Sequence, residues 1–379
     1  MITSTQGSAQ PTLVFIPDIT GFTEFVNRTE ITHSQHIVEE LLEAIIDANE
    51  IGLEVSEIEG DAVLFYRQGS PPTAAELLAQ VQRMYVAFHA LLRRYETHRI
   101  CQCGACCTAV GLKLKFIGHY GEVSHNRVKE HSKLFGRDVI VPHRLLKNAV
   151  EHDEYVLLTH DLINACSTWV EIQQAAWAEP ESGEEEFDLG PISYCAIPLA
   201  PLAAHVPEPR AEDFVLPGKR IEVLAGEAVV AAPLDAVFNV VSDLSVRHTW
   251  QAGLKGSDRL NHKIPQTGAT HRCVMQETEK DPFLVSHDFK LGRDLVTFAD
   301  TEFKQGWTKI WTLRRIGPAT TRLQFAIFVN SWLGSVLFRL LLKRGLTKAH
   351  RESHENLNRY LRGLQEKGEE HPAQIVLAA

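Results

Sequence analysis

Two aspartates stand where a carboxylate can do chemistry. Asp18 lies in Phe15-Ile16-Pro17-Asp18-Ile19-Thr20-Gly21-Phe22-Thr23, and Asp61 in Glu57-Ile58-Glu59-Gly60-Asp61-Ala62-Val63-Leu64. Each borders an apolar, β-prone run: Thr12 to Ile16 ends just before Asp18, and Ala62 to Tyr66 follows Asp61. A carboxylate at a strand end, with a second on a tight Gly-Asp turn, can hold divalent ions such as Mg²⁺ or Mn²⁺ against a triphosphate. Taken singly, each phrase also reads as an ordinary turn, since Asp and Gly are common turn formers.

A second set of ligand types is crowded into His98-Arg-Ile-Cys101-Gln-Cys103-Gly-Ala-Cys106-Cys107. The C-x-C-x-x-C spacing of Cys101, Cys103 and Cys106 can present thiolates to Zn²⁺ or another soft ion such as Cu⁺ from one loop. The same residues also fit two other roles: buried cysteines acting as small hydrophobes, and redox-sensing thiols.

The elements that must position these residues alternate. Strand 12–16 leads to a helix around 34–49, with Ile37, Leu41, Leu42, Ile45 and Ile46 on one stripe. A hairpin turns at Gly60-Asp61. A helix opens after Pro71-Pro72, with Thr73 and Glu76 at capping-box spacing. Strand 112–117, a short helix near 142–149 and a strand at 155–159 follow. The acidic stretch 179–188 reads as a surface loop before strand 192–199. Sheet with helices on it gives a fold class of α+β or α/β. Residues 1–10 form a disordered N-terminus, 11–200 the first domain, and the proline-rich stretch 201–219 a linker. The second domain, 220–367, begins with strand 221–230 and a helix opening at Ala232. Strands at 284–291, 294–303, 307–314 and 321–329 follow, then a long amphipathic helix over 333–367. A tail, 368–379, ends the chain.

The first phrase resembles the "F-x-D-I-x-G-F-T" segment of class III nucleotidyl cyclases, and the second resembles their "I-G-D" hairpin. Leu114-Lys115-Phe116-Ile117-Gly118-His119-Tyr120-Gly121-Glu122-Val123 is similar to the family's strand ending in "H-x-G-x-V". Leu134-Phe135-Gly136-Arg137-Asp138-Val139 with His143-Arg144-Leu145 resembles its "G-x-x-V-N-x-A-x-R-L" dimer-interface segment. The resemblance covers the first half of the chain. It implies a ferredoxin-like palm, a homodimer, catalytic metals on Asp18 and Asp61, and a transition-state arginine at Arg144. Glu57 and Lys133 fall at the base-recognition positions, and Lys133 matches neither usual choice of the family. Ile140 stands where the family's ribose-orienting asparagine belongs, and isoleucine cannot hydrogen-bond a ribose oxygen. The family's late phosphate-binding lysine has no clear counterpart within 187–200.

The second domain resembles the START-like, polyketide cyclase-like helix-grip fold. "Pro-x-x-x-Val-Phe" at Pro233 to Phe238, followed by Ser242-Asp243-Leu244 and Trp250, matches its opening phrase. That resemblance implies a curved sheet and a long helix around a largely apolar cavity. The ligand it implies is a hydrophobic small molecule or a lipid.

Composition narrows the partners. A net charge of -10 argues against nucleic acid, whose phosphates require a basic surface. Residues 1–10 lack a basic and an apolar region, so no secretion signal is expected. Seven cysteines in 379 residues do not make a disulfide framework, and a reducing cytoplasm is the expected location. The apolar run 325–342 is broken by Asn330 and Arg339, so no transmembrane span is expected. The leading expectation is a sensor or regulator that pairs a metal-nucleotide-binding dimer domain with a ligand domain. A working cyclase under ligand control, and a carrier in which the first domain only dimerises, are the alternatives.

Overall fold

The computed structural model describes residues 9–29, 31–101, 103–128, 131–166, 169–209, 220–244, 246–259, 266–276, 281–302, 304, 306–338, 340 and 343–367. Most of the expected N-terminal segment, the linker from 210 to 219 and the tail 368–379 lie outside the described residues. The chain forms two compact units. One comprises Met1–Arg28, Val38–Arg94 and Thr108–Pro209; the other comprises Thr29–Ile37, Tyr95–Cys107 and Arg210–Ala379. Two short segments from the first half of the sequence thus belong to the second unit.

The first unit is mixed α+β. Its strands are β1 (Gln10–Thr20), β2 (Glu54–Glu59), β3 (Ala62–Gln68), β4 (Lys113–Val128), β5 (His131–Phe135), β6 (Tyr155–Thr159), β7 (Glu181–Phe187) and β8 (Gly190–Pro198). They lie in the order β2-β3-β1-β4-β6-β8-β7, with β5 paired to β4. The helices with residues in this unit are α1 (Phe22–Arg28), α2 (Ile31–Asp47), α3 (Ala74–His98), α4 (Gly104–Thr108), α5 (Arg137–Leu145), α6 (His160–Cys166) and α7 (Trp169–Ala175). Thr73 and Glu76 form the expected capping box on α3, with Thr73 N–H donating to Glu76 Oε2 at 2.9 Å.

Strand β1 is buried on both faces, which explains its continuous apolar run. Val14 and Ile16 join Leu64, Ile117, Val141 and Leu145 in one core layer. Strand alternation sends Leu13 and Phe15 the other way, where the Phe15 ring stacks on Phe116 at 5.6 Å.

Three expectations change. β1 runs on to Thr20, so Asp18 sits inside a strand rather than after one. α5 begins at Arg137, with Pro142 inside it, instead of near 142. The acidic stretch from 181 is an edge strand paired to β8, where alternating glutamates face water and discourage further pairing.

The second unit is built on one antiparallel sheet. Its strands are β9 (Ile221–Val230), β10 (Leu254–Arg259), β11 (Ala269–Met275), β12 (Phe283–Leu291), β13 (Leu295–Glu302), β14 (Trp307–Gly317) and β15 (Thr320–Val329). Their order is β10-β11-β12-β13-β14-β15-β9, so the first strand closes on the last. Helices α8 (Leu234–Ser242) and α9 (Arg247–Trp250) follow β9; α10 (Trp332–Leu337) and α11 (Lys343–Lys367) follow β15. Over the expected helix 333–367 the described residues give α10 and α11, with Arg339, Leu341 and Leu342 outside the described residues. α11 buries Ser353, Leu357 and Leu361, and Ser353 Oγ accepts the Ala252 N–H at 3.0 Å. No helix among the described residues is long and apolar enough to cross a membrane.

Candidate functional site

Asp18 and Asp61 are neighbours because β1 and β3 pair. Asp18 lies opposite Ala62, and Ile19 N–H donates to the Asp61 carbonyl at 3.0 Å. Gly60, at φ 67°, supplies the left-handed residue of the two-residue turn that presents Asp61. Burial pushes the Asp18 carboxyl up, partly countered by Lys115. Burial likewise raises Asp61, and the charge of Asp18 raises it further. The two carboxylates therefore feel each other.

Lys115, on β4 opposite Asp18, is part of this group although no sequence argument singled it out. Its Nζ lies 3.2 Å from Asp18 Oδ2 and donates to the Leu146 carbonyl at 2.9 Å. Its position in a strand like any other hid it; only the register of β4 against β1 brings it here. The site thus holds two carboxylates and one ammonium.

The other expected residues lie on surrounding elements. Glu57 Oε2 and Lys133 Nζ approach to 3.8 Å, so the base-recognition candidates meet. Arg144, in the last turn of α5, is over half exposed and donates to Asp188 Oδ2 at 3.5 Å. Ile140 on the same helix is 46% exposed. His119 is buried, with Nδ1 2.9 Å from Thr159 Oγ1 and Nε2 3.3 Å from Asp138 Oδ1. Asp138 also accepts the Glu122 N–H at 2.7 Å, and the His119 hydrogen bond helps hold its carboxyl below the usual value. A Cβ at Gly121 would sit 2.3 Å from the Asp138 carboxylate, so the H-x-G spacing is a packing requirement.

The cysteine candidates converge. Cys101, Cys103 and Cys106 are buried, and their sulfurs share His33 Nδ1, at 3.5, 3.2 and 3.5 Å respectively. The four ligand atoms lie within 4.8 Å of one another, a group able to hold a metal ion. Cys101 and Cys103 lie between α3 and α4, Cys106 is on α4, and His33 is in the first turn of α2. His98, the nearby histidine of the sequence, bonds Thr97 Oγ1 instead. His33 lies 68 residues before Cys101, and nothing in local spacing points to it.

The second unit also buries an ionic cluster. Arg247 pairs with Asp300 at 3.1 Å, and Asp300 accepts from Ser286 and from Trp311 Nε1 at 2.6 and 2.8 Å. Lys309 Nζ lies 3.6 Å from the centre of the Trp311 ring and 4.9 Å from that of Phe325. Burial, followed by the charge of Arg247, drives the Lys309 pKa well down.

Comparison with known proteins gives three findings. Residues 38–155 match a family described as "Protein of unknown function (DUF2652)". A relative in Mycobacterium tuberculosis (strain ATCC 25618 / H37Rv), "Uncharacterized protein Rv2561/Rv2562", is 35% identical over 127 residues. That match takes in 34% of this chain and 58% of the relative, so the chain spans less than two thirds of it. Over about half the chain, similar solved structures are adenylyl and guanylyl cyclase domains. The guanylyl cyclase Cya2 is 15% identical, covering 55% of this chain and 98% of its own, at a TM-score of 0.39. The adenylyl cyclase CyaB from P. aeruginosa is 16% identical, covering 50% and 94%, at 0.37.

Proposed function

We propose that residues 11–200 are a class III cyclase-like palm that binds a nucleoside triphosphate with Mg²⁺ or Mn²⁺ at Asp18 and Asp61, and that turns it over slowly or not at all. One observation carries this reading: the pairing of β1 with β3 brings Asp18 beside the turn that presents Asp61, and the charge of Asp18 adds to the cost of ionising Asp61, in a site that an added cation would relieve. Metal binding alone stabilises the bound ground state, whereas rate requires contacts made in the transition state. Ile140 offers no hydrogen bond to a ribose, and Arg144 is engaged by Asp188. Arg144 becomes a catalytic group only if a second copy draws it away. Ile58, Phe135 and Ile140, all at least 46% exposed, are apolar surface that such a copy would cover.

In this reading residues 220–367 are a helix-grip domain. What supports this is a sheet whose first strand pairs with its last, with α11 packed on β9 and α9. Its ligand is a hydrophobic molecule or lipid. The chain is then a two-input regulator in a reducing cytoplasm.

The test is calorimetric binding of ATP and GTP with Mg²⁺ and with Mn²⁺, beside an assay for cyclic nucleotides. Binding without product, weakened at least tenfold in Asp61→Ala, supports the proposal. Turnover on the order of 1 s⁻¹, abolished by Asp18→Ala, makes this a working cyclase instead. No nucleotide binding at all leaves the carrier reading.

A further inference from the structure

We propose that His33, Cys101, Cys103 and Cys106 form a closed, structural Zn²⁺ site that pins the segments 29–37 and 95–107 together inside the second unit. A neutral imidazole Nδ1 has a single in-plane site, either a lone pair or a proton. Three sulfurs at 3.2 to 3.5 Å around that one atom exceed what it can hydrogen-bond. A shared ion explains the crowding. With Zn–S near about 2.3 Å and Zn–N near about 2.0 Å, a tetrahedron places nitrogen and sulfur roughly 3.5 Å apart.

The backbone is arranged for thiolates. Cys103 N–H points at Cys101 Sγ at 3.4 Å, and Cys106 N–H at Cys103 Sγ at 3.4 Å. Such N–H donors favour the charged sulfur that a metal requires. When Nδ1 ligates, the ring proton resides on Nε2, which is buried and unpartnered. The metal, rather than a hydrogen bond, then fixes the tautomer.

The ligand set selects the ion and its role. Three thiolates and one imidazole suit Zn²⁺ in four-coordination, while carboxylate-seeking Mg²⁺ and Ca²⁺ are excluded. All four ligands are protein atoms and all four residues are buried, so no coordination position is left for water or substrate. The ion is therefore a staple. The cysteine loop is in turn stitched to the sheet of the second unit: Arg99 bridges to Gln266, and Thr267 N–H donates to the His98 carbonyl at 3.1 Å. Zinc would thus explain why two segments distant in sequence belong to that unit.

The full chain, purified under reducing conditions, is expected to carry close to one zinc per chain by elemental analysis. Replacement by Co²⁺ should give the visible bands of tetrahedral cobalt with sulfur-to-cobalt charge transfer. His33→Ala and Cys103→Ser should retain at most a tenth of the metal, and His33→Cys should keep it, because it restores a fourth ligand. A role for His33 in packing alone would not be rescued by cysteine. Titration of the unmodified protein with a mercurial, in the presence of a zinc dye, needs no variant to fold; zinc should leave as the thiols react. Metal-free protein with reduced cysteines, or full zinc in His33→Ala, would overturn the proposal.

Discussion

Asp18, inside β1, and Asp61, on the turn before β3, are carboxylates partly open to water, with an ammonium 3.2 Å from one of them. The histidine–cysteine group is soft, fully buried and complete in ligand number. With two carboxylates, the first arrangement would leave an ion's remaining coordination positions to another molecule's oxygens, as the proposed triphosphate site requires. The second leaves none. Openness and incompleteness go with binding a substrate, and closure goes with holding the chain together. The two sites should also fail differently: loss at the first should alter binding and spare the fold, and loss at the second should do the reverse.

The largest effect is expected from stripping the soft metal. Structural zinc contributes on the order of 10 kcal/mol where folding depends on it, and more than one local transition is usual in a chain of this size. A strong chelator with mild denaturant should lower the melting transition of the second unit by more than about 10 °C. Nucleotide affinity of the first unit should remain within about twofold, since sites without shared partners behave additively. Scanning calorimetry with a parallel binding assay measures both. If both properties fall together, the division of labour between the two sites is wrong.

Next in size is a gain of activity. Ile140→Asn restores a hydrogen-bonding side chain at an exposed position, so the fold should tolerate it. Misalignment of reacting atoms can cost about 100-fold, and the substitution should raise cyclic nucleotide formation by about 10- to 100-fold over the parent. An unchanged rate, with nucleotide still bound, would move the defect from the ribose to another contact, with the engaged Arg144 the first suspect.

A smaller effect tests packing around the first site. Gly121→Ala drives a methyl into the Asp138 carboxylate, which must then release His119 or the Glu122 N–H. Overpacking of this kind costs about 1–3 kcal/mol, readable as a lower urea midpoint. Metal content at the cysteines should not change. Full stability in the alanine variant would mean that Asp138 moves freely and that the H-x-G spacing serves something other than packing.

Much of this was legible in the sequence because it is local. The turn at Gly60-Asp61, the capping box at Thr73 and Glu76, and four strands of the second unit within a few residues all follow from short-range patterns. What was not legible is long-range. Lys115 enters the carboxylate site through the register of β4 on β1, and His33 reaches the cysteines from 68 residues away. The edge strand β7 was hidden for a different reason: a run of glutamates reads as a loop, and only pairing to β8 makes it a strand. The buried pair Arg247–Asp300 was equally invisible, since nothing in composition distinguishes a buried charge from a solvated one.

The smallest predicted effect is the most direct test that the carboxylates form one site. Asp18→Asn removes a negative charge that raises Asp61 and leaves Lys115, which lowers it, without its first partner. The Asp61 pKa should therefore move down, followed by carbon-detected NMR titration. The sign for stability follows. A carboxyl raised in the folded state contributes stability that is fully present below the ordinary value of 3.8 and is lost as pH rises through the folded pKa. With Asp61 less raised, the variant should lose less stability than the parent between pH about 4 and about 7 in the absence of metal. Mg²⁺ should relieve that loss in the parent, because it binds the ionised pair, and do little in the variant, which lacks one ligand. Urea midpoints at the two pH values, with and without Mg²⁺, give four numbers from which both statements are read. An Asp61 titration that ignores residue 18 would mean that the two carboxylates are not electrostatic neighbours, and the nucleotide site would lose its foundation.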